Sequence, residues 1–197
     1  MADVDTALHA DAARPSRREQ ILRAAAQLFA ERGSRAVGVD DVGAAVGVTG
    51  PAIYRHFASK DAMLAEMLVG ISERLLAGGT GQVAAAGAEP LAQLRSLIAF
   101  QVDFALDNPA LITVHDRDLV SLTEADAAQV RRLQRRYVEV WVGVLGRLHP
   151  QADTAASRAR AHALFGLVNS TPHSAGRLPR ERMAVLLAAM AEAAATS

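Results

Sequence analysis

The densest run of groups able to hold an anion lies between Thr49 and Lys60. Thr49, Tyr54, His56 and Lys60 bring two hydroxyls, an imidazole and an ammonium around the small Gly50-Pro51-Ala52. Small residues let a backbone approach another surface closely, and longer polar side chains reach phosphates beside it. The pattern therefore suits an element pressed into the major groove of double-stranded DNA. Upstream, Arg14, Arg17 and Arg18 form an arm or helix start able to reach phosphate or the minor groove. From Ala12 to Lys60, Arg14, Arg17, Arg18, Arg23, Arg32, Arg35, Arg55 and Lys60 stand against only Glu19, Glu31, Asp40 and Asp41. This local basic excess sits in a chain whose 21 basic residues balance 21 acidic ones. The arginines read equally as one solvated helix face.

A second concentration of polar chemistry is His115-Asp116-Arg117-Asp118. His115 and Asp118, three apart, offer two metal ligands and no third, so neither a metal nor a cofactor is expected. Arg117 and the arginines of 131–136 suit a carboxylate or phosphate on a small-molecule effector, or else salt bridges to Glu124 and Asp126. Phe100, Phe104, His115, Tyr137, Trp141, Phe165 and Asn169 are the candidate liners of a pocket between helices. Tyr137 and Trp141, four apart, fit a plain core equally well.

The elements that must position these groups are helical. Ser16-Arg17-Arg18-Glu19 has capping-box spacing, Ile21, Ala25, Leu28 and Phe29 form one apolar stripe, and Gly33 sits where the helix should stop. Short helices are expected over 39–46 and 49–57, turned at Gly47, and a longer one over 60–77. Gly78–Pro90 reads as a linker, because it is rich in Gly and nearly free of charge. Helices are then expected at about 90–107, 109–121 (with Asn108 as cap), 124–148, 153–171 and 180–195. Leu164, Phe165 and Val168 with Met183, Leu186, Leu187 and Met190 make apolar stripes on the last two, suited to a two-fold interface or to an internal core. The expected fold is all-α, about nine helices, with a tail at 1–13, a helix-turn-helix unit at 14–60 and a helical effector and dimerisation unit at 61–197.

Composition agrees and excludes alternatives. Hydrophobic residues make up 51% but aromatics only 4%, which favours closely packed helices over sheet. The absence of cysteine excludes disulfides, zinc-thiolate sites and thiol catalysis. No apolar run is long enough to span a membrane, and the amino-terminal residues lack a signal-peptide core, so a cytoplasmic protein without membrane contact is expected.

The stretches ILRAAAQLFAERG and GVTGPAIYRHFASKDAML closely resemble the DNA-binding domain of the tetracycline-repressor (TetR) family of bacterial regulators. The resemblance covers about residues 16–64. It implies that Thr49 caps the recognition helix and reaches a phosphate, that Gly50, Pro51 and Ala52 lie against base edges, and that Tyr54, His56 and Lys60 hold the backbone. Ile53 and Phe57 would be core. Val37 and Gly38 stand where the family usually has Thr or Ser, and Gly43 where it usually has Ala, at an ordinary cost of about 0.5–1 kcal/mol. The resemblance further implies a ligand-responsive regulator, most often a repressor, that binds a palindromic operator as a homodimer through its last two helices. Similarity to actinobacterial regulators of lipid metabolism points to a lipid-like or acyl-CoA effector. Two other classes stay open: a small helical enzyme using His115 and Asp118, and a protein-interaction module that has lost DNA binding.

Overall fold

The computed structural model describes residues 15–174, 176 and 178–197; the expected 1–13 tail and Arg14 lie outside the described residues. In chain order the helices are α1 (Arg17–Arg32), α2 (Val39–Ala45), α3 (Gly50–Ile53), α4 (Lys60–Ala85), α5 (Pro90–Asp107), α6 (Pro109–Asp118), α7 (Glu124–Leu148), α8 (Thr154–Val168), α9 (Thr171–Ser174) and α10 (Arg180–Thr196). Single 3-10 turns at Ser34–Ala36 and Leu119–Ser121 follow α1 and α6. All nine expected helices are present, and the one-turn α9 is additional.

Helix ends follow local chemistry. Ser16 Oγ accepts the Glu19 amide at 3.2 Å while Glu19 Oε2 accepts the Ser16 amide at 2.8 Å, closing the capping box. Gly33 takes φ +86° and ends α1. Thr123 Oγ1 accepts the Asp126 amide at 3.2 Å and starts α7. Asn108 departs from expectation: its Nδ2 donates to the Phe104 carbonyl at 2.9 Å, so it ties down the end of α5 and leaves α6 without a side-chain cap.

Two apolar cores result. In the first, Ile21, Ala25 and Phe29 of α1 meet Val42, Ile53, Phe57 and the α4 residues Met63, Leu64, Met67 and Leu68. Val114 of α6 and Val130 of α7 complete it. In the second, Leu94, Leu97 and Ile98 of α5 pack with Trp141 and Leu145 of α7, Leu164 and Val168 of α8, and Met183 and Leu187 of α10. α4 runs between them, contributing Leu75 and Leu76 to the flank of the second core.

The Gly78–Pro90 linker is overturned. α4 continues unbroken to Ala85, and its glycines are packing devices. A Cβ at Gly78 would overlap the Phe100 ring, and one at Gly79 the Tyr137 ring. Here the glycines let aromatics from α5 and α7 lie against the helix backbone, and a dense glycine run resembles a linker only while those partners are unknown. The apolar stripes of the last helices also divide. Leu164, Val168, Met183 and Leu187 are buried internally, whereas Val185, Leu186 and Met190 face outward.

The glycines of α4 should respond oppositely to substitution. Gly79→Val should lower stability by about 1–3 kcal/mol through overpacking against Tyr137. Gly81→Ala, exposed and with nothing within 4 Å of the new methyl, should raise it by about 0.5–1 kcal/mol. Differential scanning calorimetry of the two variants checks the pair.

Candidate nucleic-acid interface and effector pocket

Glycines shape both the entry to α2 and the turn from α2 to α3. Gly38 begins α2, its amide donating to Asp41 Oδ2 at 2.7 Å. This is the reciprocal half of a capping box; the bond that a hydroxyl at the N-cap would accept from the first turn is not made. Gly47 takes φ +70°, allowing the Val48 amide to return to the Gly43 carbonyl at 2.9 Å. Gly43 is no mere helix defect: a Cβ there would stand 2.8 Å from the Val48 carbonyl oxygen and 3.3 Å from the Gly50 nitrogen. Its bare Cα is what lets α3 fold closely onto α2.

α3 is shorter than expected. Its α-helical part is Gly50–Ile53, and Tyr54-Arg55-His56 form a turn, with the Phe57 amide still donating to the Ile53 carbonyl at 3.1 Å. Ile53 and Phe57 are buried as expected. Thr49 occupies the N-cap position in extended conformation, but its hydroxyl makes no cap bond and is left to outside partners. Pro51, Tyr54, Arg55 and His56 are exposed, Tyr54 by 57%, and Ala52 is half-buried. Gly50 is a correction. It is buried, and the Asp40 side chain occupies the space where its Cβ would be, so it faces α2 and is not positioned against base edges.

The flanking cations separate by role. Lys60 Nζ lies 3.5 Å from the Arg35 carbonyl, half-buried at the start of α4. Arg17 is exposed and donates to Gln20 at 3.0 Å. Arg18 differs from expectation: it pairs with Glu66 and stacks over the Phe57 ring at 4.6 Å, committed to holding α1 on α4. Arg55, expected to face outward with Tyr54 and His56, is exposed beside them and belongs to this surface.

The other site is a cavity of about 480 Å³ bounded by α4 to α8, within the usual size range of small-molecule sites. Five expected residues line it: Phe104, His115, Tyr137, Phe165 and Asn169. Three do not. Phe100 packs on Gly78. Trp141 is wholly buried behind the wall, its ring 6.4 Å from Tyr137 and 5.1 Å from Phe165. Arg117 turns away toward α1, donating to the Ala30 carbonyl at 3.2 Å and to that of Phe29.

The cavity has two polar zones. Arg131, Arg135 and His162 lie along its exposed rim with Asp116 and the half-buried Arg158. Arg131 pairs with Glu124 at 2.6 Å and Arg158 with Glu139, while Arg135 has no carboxylate partner among the described residues. Inside, Tyr137 donates to Gln101 Oε1 at 2.8 Å, and Gln101 Nε2 donates to Asn169 Oδ1 at 2.9 Å. Burial pushes the Tyr137 phenol well above its usual range, so it stays neutral. Sequence reasoning missed Gln101, because nothing in a helix sequence tells which glutamine will be enclosed.

His115 and Asp118 are not brought together. His115 faces the cavity, with Nδ1 3.1 Å from Asp116 and Nε2 against Gln134. Asp118 is buried on the opposite side, where Oδ1 accepts the Ser34 hydroxyl at 2.8 Å and its amide at 3.2 Å. Arg117 Nη2 lies 3.0 Å from Asp118 Oδ2. The arrangement that would have served catalysis joins α6 to the first core instead.

Residues 21–67 match the family model for bacterial regulatory proteins of the tetR family, and residues 87–195 the model for a tetracyclin repressor-like C-terminal domain. The chain is 31% identical over 130 residues to the HTH-type transcriptional repressor KstR2 of Rhodococcus jostii, covering 66% of this chain and 63% of that relative. The match thus spans less than two thirds of the relative's length. Among solved structures, the ketosteroid transcriptional regulator KstR2 of Mycobacterium tuberculosis superposes with a TM-score of 0.78 at 23% identity, covering 92% of this chain and 95% of that one. AibR, in complex with isovaleryl coenzyme A and operator DNA, superposes with a TM-score of 0.72 at 18% identity, covering 89% and 97%.

Gly43 gives a direct test of the turn geometry. In an ordinary helix Gly→Ala stabilises by about 0.5–1 kcal/mol. Gly43→Ala should instead destabilise, by about 1–3 kcal/mol, because the methyl meets backbone that cannot move aside. Urea unfolding of the variant gives the sign.

Proposed function

The chain belongs to the TetR family of bacterial regulatory proteins, and from that premise we propose that it is a homodimeric transcriptional repressor released from a palindromic operator by a small amphipathic effector. Residues 14–60 form the DNA-binding unit and 61–197 the effector and dimerisation unit. Thr49, Pro51, Ala52, Tyr54 and His56 meet the DNA, with Arg17 and Lys60 flanking them. Phe104, His115, Tyr137, Phe165 and Asn169 meet the effector. α6 is the observation that carries this reading. Within four consecutive residues it gives His115 and Asp116 to the cavity and Arg117 and Asp118 to α1 and the turn after it. A ligand that moves α6 therefore pulls on the element that carries the DNA-facing turn.

The cavity supports an effector with an apolar body and an anionic head, since an apolar interior meets arginines at its rim. An acyl-CoA or fatty acid has this form, and the isovaleryl coenzyme A bound by AibR is a molecule of that class. Dimerisation is supported by the outward face of α8 and α10. Val185, Leu186 and Met190 are exposed there, and Ala155, Ala159, Ala163 and Gly166 give α8 a surface of small residues. A two-fold pairing would cover both and set two DNA-facing turns about 34–36 Å apart.

The deciding experiment is a gel shift on the DNA upstream of the protein's own gene, repeated with a panel of acyl-CoAs and free fatty acids. A palindromic footprint, lost on adding one of the panel, is the expected result. Intact DNA binding that no member of the panel alters would reject the effector class, and absence of binding would favour a protein-interaction module.

Two substitutions sharpen the assignment. Met190→Arg, on the outward face, should give monomers in sedimentation and weaken operator binding, whereas an unchanged dimer would reject this interface. Lys60→Ala should remove one phosphate contact per protomer, making the log–log salt slope shallower by about 2 for a dimer and lowering affinity alike on operator and scrambled DNA. Titrations at several salt concentrations measure both quantities.

A further inference from the structure

Resting on that reading of the cavity, we infer that its effector carries a second polar group, a carbonyl oxygen within its apolar body that reaches Asn169. The charged groups of the cavity are confined to its exposed rim. The interior is apolar, with Leu75, Phe104, Ile112 and Phe165 in its wall, except where Tyr137, Gln101 and Asn169 form a hydrogen-bonded row. Gln101 is 2% exposed and Tyr137 5%, and the half-buried Asn169 brings the row to the cavity surface.

Counting donors and acceptors shows what the row lacks. Gln101 is engaged at both ends, its oxygen by the Tyr137 hydroxyl and its nitrogen by the Asn169 oxygen. Asn169 Oδ1 is thus already an acceptor in use, while its Nδ2 has no partner among the described residues. Trp141 lies behind the wall, its ring packed on Tyr137 and Phe165, and offers no donor to the cavity itself. The row therefore leaves the Asn169 amide as a donor without a protein partner at the cavity. Covering such a donor with hydrocarbon leaves it without even water, at a cost of about 1–3 kcal/mol.

A ketone answers this donor directly, because it accepts without bringing a donor of its own. A hydroxyl can also accept, at the added cost of finding an acceptor for its own proton within an apolar cavity. A plain alkyl end neither accepts nor donates and strands the Asn169 amide. The chemical class is thus an oxo-substituted lipid-like molecule with an anionic head, whether that head is a carboxylate or a CoA thioester with its phosphates.

Trp141 is the sole tryptophan and touches two cavity-lining rings, so its fluorescence reports filling of the cavity. Matched pairs should be titrated into the full-length protein: octanoyl-, decanoyl- and dodecanoyl-CoA against their (ω−1)-oxo counterparts, with the corresponding free acids as a second arm. The arms separate the two head-group sources. In whichever arm binds, the oxo member should bind about tenfold tighter, the worth of one retained hydrogen bond in an apolar site. Asn169→Leu should bring the two members within about twofold of each other. Asn169→Asp, which keeps size and the acceptor facing Gln101 but removes the donor, should do the same and serves if the leucine variant fails to fold. Equal affinity for oxo and plain chains at every length, or a preference that survives both Asn169 variants, would overturn the inference while leaving the effector pocket standing. Silence of every ligand in both arms would overturn the anionic-amphiphile reading and this inference with it.

Discussion

Arg117 at the end of α6 donates to the carbonyls of Phe29 and Ala30 in the last turn of α1, the first of which also accepts the Gly33 amide. The last carbonyls of a helix carry the negative end of its dipole, so a guanidinium is the side chain best suited to meet them. Its neighbour Asp118 is buried and receives two bonds from Ser34 and an ion pair from Arg117. A buried carboxylate is tolerated only when paired and fully hydrogen-bonded, and each partner here comes from one side of the same junction. Removing Arg117 would leave Asp118 charged, enclosed and short of a partner. The junction therefore holds α6 to the end of α1 and to the turn after it.

The same requirement of close approach shapes the rest of the molecule. Where α2 meets α3, Gly43 brings backbone to within contact of backbone, and the Asp40 side chain fills the space a residue larger than Gly50 would need. Where α4 meets the second core, Gly78 and Gly79 make room for Phe100 and Tyr137. Tyr137 is fixed in this way from one side by α4 and from the other by Gln101 of α5. The cavity wall is consequently rigid at its polar row, and the ring that bears the hydroxyl cannot swing without disturbing α4.

Much of this was legible in the residues, and the failures have physical causes. Helix starts were readable at Ser16 and Thr123, because capping depends on atoms within four residues. Asn108 misled because one side chain between two helices can serve either, and here it bonds back to Phe104. Pro51, Tyr54, Arg55 and His56 face outward as expected, while Gly50 does not, since its burial is decided by Asp40 across the turn. Arg18 was read as free because its partners Glu66 and Phe57 lie about forty residues or more away. Trp141, Phe100 and Arg117 were assigned to the cavity on chemical type alone. Type identifies what a side chain can do, but only packing decides which way it faces.

The placement of Arg117 and Asp118 beside His115 and Asp116 also bounds how strongly cavity and DNA face can be linked. A ligand shifts such an equilibrium only by the difference in its affinity for the two states. Couplings between sites are typically about 1–3 kcal/mol, and hydrogen bonds to charged groups are each worth about 1.5–3 kcal/mol. One or two of the bonds at this junction are therefore enough to account for the whole coupling. His115 already touches Gln134 of α7 and Asp116, so a ligand that competes for either contact acts on α6 one turn or less from the guanidinium. No long pathway through the core is required. In the proposed regulator, an effector signal would have only to cross a single helix, from His115 to the residues two and three positions along it.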